Sequence, residues 1–103
     1  MIYEKLSFPV KSFDGWKPGF VNHADVRKAH SCVGTKVYTE PGNKNKIIVV
    51  MVWSDKGEME KFGSSSELKE AMQKAGVTGP PQVSFQETEF DVSSLELQFE
   101  TDG

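Results

Sequence analysis

Residues 2–10 alternate, with Ile2, Leu6, Phe8 and Val10 on one side and Tyr3, Lys5 and Ser7 on the other. A period of two is that of a half-buried strand, and Glu4 is the polar interruption of its apolar side. Pro9 has no N–H to give a ladder and so places the strand's end at an edge or terminus. The period then changes. In "SFDGWKPGF", Asp14 is a candidate helix N-cap and Pro18 falls in the first turn or just past it, with the helix running to about His30.

Residues 33–40, "VGTKVYTE", alternate again, and "PGNKNK" marks a turn into the next strand. In residues 46–54, "KIIVVMVWS", nearly every position is apolar, which predicts a central strand covered on both faces. Asp55 and Glu58 have capping-box spacing at the start of a second helix. That helix breaks at Gly63, restarts from a serine cap and stops at Gly76. Met59, Phe62, Leu68, Met72 and Ala75 form its apolar stripe. "VTGPPQ" is a stiff loop into a fourth strand over 82–90, built on Val83 and Phe85. Residues 91–103 form a tail in which Leu95, Leu97 and Phe99 alternate as in an additional edge strand.

Strand, helix, strand, strand, helix, strand is the ferredoxin-like βαββαβ order of an α+β domain, here spanning residues 1–90. Its antiparallel sheet carries two helices on one face. Two helices cannot cover both faces. Ile48, Val50 and Val52 therefore project from the side opposite Ile47, Val49, Met51 and Trp53 with nothing in the chain to shield them. A two-fold-related copy packed sheet to sheet is the simplest cover, which predicts a homodimer closed as a dimeric α+β barrel.

Composition narrows the partners. A chain of 103 residues with 37% hydrophobic and 26% charged content is an ordinary single globular domain. The formal charge of −3, without a lysine or arginine run, argues against nucleic acid. No apolar stretch has the length of a membrane span, and the first ten residues lack a signal-peptide core, so no membrane partner is expected. Cys32 is the single cysteine, which rules out an internal disulfide and fits a reducing, cytoplasmic setting.

Two stretches carry a family resemblance: "WSDKGEMEKFGSSSELKEAMQKAGVTGPPQVSFQE" and, earlier, "FDGWKPGFVNHADVRKAHSCVGTKVY". The chain over about residues 2–90 resembles the dimeric α+β barrel proteins related to antibiotic-biosynthesis monooxygenases. The resemblance implies the fold and the dimer. It leaves function open, because the group includes cofactor-free oxygenases, isomerases, cyclases, haem-degrading enzymes and proteins of no known reaction. The haem-degrading branch uses an asparagine, tryptophan and histidine set that the spacing of Asn22 and Trp53 does not reproduce, so haem is not expected.

At 100° per residue, Phe13, Trp16, Phe20, Ala24 and Arg27 share the apolar stripe of the first helix, with His23 at its margin. A buried arginine needs a partner. Either Glu4 pairs with it internally, or it meets an anionic or enolate-like oxygen on a ligand. His23 has a side chain suited to proton transfer near neutral pH, or it is a hydrogen-bonded histidine at the rim of a core. Trp16, Phe20, Trp53, Phe62 and Met72 would line a pocket for an aromatic molecule, or would fill a solid core. Tyr3 and Tyr38 are strand phenols, Cys32 reads as a small buried hydrophobe, and Ser64, Ser65 and Ser66 read as capping residues. His30 reads as a surface residue, and no cysteine or carboxylate set stands beside the histidines to complete a metal site. Two functions follow. In one, His23 and Arg27 act on a small organic molecule without a cofactor, by monooxygenase-, isomerase- or cyclase-like chemistry. In the other, the chain is a non-catalytic, stress-related or structural dimerisation module.

Overall fold

A computed structural model describes residues 1–87. Strand β1 (Ile2–Pro9) is followed by α1 (Phe13–Asn22) and α2 (Ala24–Ala29), then by β2 (Cys32–Glu40) and β3 (Asn43–Trp53). Helices α3 (Lys56–Gly63) and α4 (Ser66–Lys74) lead into β4 (Gln82–Glu87). The sheet is antiparallel in the order β2-β3-β1-β4, the ferredoxin-like arrangement, with the helices on one face. The tail and residues 88–90 lie outside the described residues, so the predicted extra edge strand does too.

Register explains which side chains meet. Ile2 pairs with Trp53, Glu4 with Met51, Leu6 with Val49 and Phe8 with Ile47, so odd positions of β3 and even positions of β1 share the helix-covered face. Ile47 and Trp53 are wholly buried there, and Val49 and Met51 nearly so. The other face carries Ile48, Val50 and Val52, which the helices do not reach and which are half-buried by their neighbours alone. Tyr3 and Tyr38 flank that stripe, 41% and 46% exposed. The helices also stop short of β4, every residue of which is exposed.

Local chemistry sets the element ends, with two departures from the sequence reading. Ser12, not Asp14, caps α1: its hydroxyl accepts from the Gly15 N–H at 3.0 Å. Gly15 permits this, because a Cβ there would stand 2.8 Å from the Ser12 Oγ. Asp14 instead lies in the first turn, where its charge favours the positive end of the helix. The second departure is that the first helix is two helices. At His23 the backbone leaves helical geometry (φ −89°, ψ 4°), and its N–H is shared between the Gly19 and Phe20 carbonyls. By contrast, Asp55 caps α3 by accepting from Glu58, and Ser65 caps α4 by accepting from Leu68, as the spacing predicted. The β2–β3 turn is tighter than expected: only Pro41 and Gly42 intervene, with Gly42 at φ +80°.

Candidate functional site

Between the sheet and the helices lies a cavity of about 480 Å³, within the size range of small-molecule sites. Its floor is the inner sheet face, including Glu4, Leu6 and Met51, and its roof comes from all four helices. It opens beside β4, where Val83 and Phe85 are 44% and 54% exposed because no helix covers them. The walls are chiefly apolar. Trp16 stacks on Phe20 with ring centroids 4.8 Å apart, which forms one aromatic wall.

Arg27 is the exception to that apolarity. It is 7% exposed, yet no carboxylate of the described residues lies within 4.0 Å of it. Its Nη1 donates to the Phe20 carbonyl oxygen at 2.8 Å, and its guanidinium sits 3.8 Å from the centroid of the Phe20 ring. The break at His23 makes this possible. An unbroken helix would give the Phe20 carbonyl to the Ala24 N–H, whereas here the guanidinium and the His23 N–H share it. Burial lowers the Arg27 pKa from its ordinary value, and the Cys32 sulfur partly opposes that shift. The carbonyl and the ring offset only part of the desolvation, because one carbonyl satisfies one of five N–H donors.

Glu4 does not pair with Arg27. Its Oε1 accepts the indole N–H of Trp53 at 3.0 Å, and its carboxyl borders the same cavity from the sheet side. Burial raises the Glu4 pKa, and the Trp53 hydrogen bond lowers it in part. The site therefore holds a buried carboxyl and a buried guanidinium, each fixed by a different neighbour.

Of the residues singled out from sequence, Trp16, Phe20, His23, Arg27, Phe62 and Met72 border the cavity. Trp53 does not. It is wholly buried one layer behind the wall, packed against Phe62 at 5.3 Å and joined to the cavity through Glu4. His23 is half-buried, borders both the cavity and a groove between α1 and α4, and makes no side-chain hydrogen bond to the described residues. His30 points elsewhere, with its Nδ1 3.1 Å from Glu58 Oε2. Cys32 is buried, with its sulfur against the Gly34 carbonyl and the Thr35 hydroxyl. Among the described residues, no group of three or more His, Cys, Asp or Glu gathers around a possible metal position. Nor is any described helix long and apolar enough to cross a membrane.

Met51, Met59 and Leu68 also border the cavity and were treated from sequence as core. Periodicity correctly turns them inward. It carries no signal of whether the interior they face is filled.

No protein-family model matches this chain, and no curated protein matches it significantly. Solved structures do. A candidate antibiotic biosynthesis monooxygenase from Bordetella bronchiseptica superposes with a TM-score of 0.69 at 19% identity, over 86% of this chain and 97% of that one. SnoaB, a cofactor-independent oxygenase from Streptomyces nogalater, gives 0.70 at 13% identity, over 88% and 95%. The ActVA-Orf6 monooxygenase of Streptomyces coelicolor, solved with the ligand nanaomycin D, gives 0.62 at 16% identity, over 88% and 89%. At such identities the likeness establishes the architecture: this chain has the fold of the antibiotic-biosynthesis-monooxygenase-like structures.

Proposed function

We propose that the chain is a homodimeric, cofactor-free small-molecule protein whose cavity binds a largely apolar, aromatic compound bearing an ionisable oxygen. Arg27 faces that oxygen and stabilises negative charge on it, in monooxygenase-, isomerase- or cyclase-like chemistry that starts from proton removal. His23, at the cavity margin, orients the ligand or exchanges protons with solvent. Trp16, Phe20, Phe62 and Met72 supply the apolar contact.

One observation carries the reading: a 7%-exposed arginine without a carboxylate partner among the described residues, on the wall of a 480 Å³ cavity. Leaving a cation in that state destabilises a fold by several kcal/mol unless something offsets it, and an anionic ligand oxygen does so. The structural neighbours, one a cofactor-independent oxygenase and one a monooxygenase in complex with nanaomycin D, support the same class. The outer stripe of Ile48, Val50 and Val52 supports the homodimer.

Titration of wild type and Arg27→Leu with 4-nitrophenol, followed by absorbance and calorimetry, tests the reading. Arg27→Leu should abolish binding and keep or raise the melting temperature, because it removes a buried charge. A variant that binds as wild type does, or a wild type that binds no aromatic compound, would overturn it.

A further inference from the structure

We propose that Glu4 is the proton acceptor of this cavity, so that the ligand is a phenol or enol that passes its hydroxyl proton to Glu4 while its oxygen faces Arg27. The inference rests on the cavity being a ligand site, and it names the class of ligand and the residue that reads it.

Geometry is the first support. Glu4 is 9% exposed and held by a single bond, from Trp53 Nε1 to Oε1 at 3.0 Å. Its second oxygen has no hydrogen bond to the described residues, and no buried side-chain oxygen or nitrogen is left without a partner, so Oε2 is open to the cavity. A carboxyl anchored through one oxygen and free at the other is oriented to receive a proton.

Charge balance is the second. Glu4 borders the cavity from the sheet and Arg27 borders it from α2, and the two make no ion pair, so the cavity meets one carboxyl and one guanidinium. An anion entering alone would meet the guanidinium but would also set a second negative charge in the space that the Glu4 carboxylate borders. A neutral phenol or enol avoids this. Its O–H bond breaks, a bond from hydrogen to Glu4 Oε2 forms, and the electron pair remains on the ligand oxygen next to Arg27. The net charge of the site does not change, and no oxidant or reductant takes part. Burial, which raises the proton affinity of Glu4, brings it closer to that of an acidic phenol or enol.

The other ionisable groups bordering the cavity are Arg27, His23 and Glu60. Glu60 is exposed, and protonating His23 would place a second cation in a space that already holds Arg27. Glu4 is the group whose protonation removes a buried charge instead of adding one.

The test uses the purified full chain with two probes: 4-nitrophenol, whose phenolate absorbs in the visible, and 4-nitroanisole, which has no proton to give. At a pH below the probe's own titration, wild type should bind 4-nitrophenol with the phenolate band appearing and no proton released to the medium. Glu4→Gln, which can still accept from Trp53, should lose that band and bind 4-nitrophenol about tenfold or more weakly, with 4-nitroanisole unaffected. An unchanged band and affinity in Glu4→Gln would overturn the role of Glu4 and leave the cavity reading standing. Failure of wild type to bind either probe would overturn both. Should Glu4→Gln not fold, the wild-type proton count decides alone, since release of a proton for each probe bound contradicts transfer to Glu4.

Discussion

The indole N–H of Trp53 reaches Glu4 Oε1 across 3.0 Å, joining residues 49 apart in the chain. Neighbouring strands β1 and β3 bring them together diagonally, Ile2 standing opposite Trp53 and Glu4 opposite Met51. The bond directs one oxygen of a buried carboxyl into the sheet and leaves the other to the cavity. Arg27 makes no ion pair with that carboxyl and instead donates to the Phe20 carbonyl.

Removing the donor while keeping an aromatic side chain tests that bond. Trp53→Phe leaves a buried carboxyl oxygen unsatisfied, which should cost about 1–3 kcal/mol in addition to the lost packing. A lower urea midpoint is expected, and an unchanged one would show that Glu4 finds another partner.

The pH dependence of stability follows from the raised Glu4 pKa. Between the ordinary value of 4.5 and its higher value in the fold, the folded chain holds more protons on this group than the unfolded chain. Its contribution is therefore whole below the unfolded pKa and is lost as pH rises through the folded one. Glu4→Gln does not titrate, so its urea midpoint should gain on that of wild type as pH rises from acid to neutral. A gap that stays constant with pH would contradict the assignment.

The outer sheet face makes a separate prediction. Val50 lies at the centre of the half-buried stripe, between Lys5 of β1 and Lys36 of β2. In a sheet-to-sheet homodimer, Val50→Lys would set a third lysine between Lys5 and Lys36 and bury that like charge against the copy's. Sedimentation velocity should show a dimer for wild type and a folded monomer for the variant. A monomeric wild type at high concentration would remove the dimer from the proposal.

Gly76 ends α4 in a Schellman arrangement, with its N–H on the Gln73 carbonyl and the Val77 N–H on the Met72 carbonyl. Its φ of +85° is left-handed, and a Cβ would meet nothing closer than Lys11 at 3.7 Å. Strain and not crowding is therefore the issue. Gly76→Ala should cost about 1–2 kcal/mol by thermal unfolding, and Gly76→Asn less, because asparagine tolerates this region better.

Much of the architecture is legible in the pattern of residues. The alternation of β1 and β3 reports which side chains face the helices, and the caps at Asp55 and Ser65 and the stop at Gly76 lie where the spacing puts them. The stripe of Phe13, Trp16, Phe20 and Arg27 also keeps its inward phase through the break at His23, since α2 continues on the same side of the sheet. The break itself has no such signature. Nothing in "FVNHADVR" is a strong helix breaker, and the bend accompanies contacts that exist only once Arg27 is buried.

Sequence by itself determined the order of strands and helical segments, the faces of the strands and the caps at Asp55 and Ser65, because these depend on backbone periods and on hydrogen bonds spanning a few residues. Tertiary structure alone decided that Glu4 binds Trp53 and not Arg27, that Trp53 stands behind the wall, and that the interior is hollow. Those outcomes depend on register, on depth and on how far four short helices reach across four strands. A pattern of apolar residues gives the direction in which each side chain points, but not the distance to what it meets.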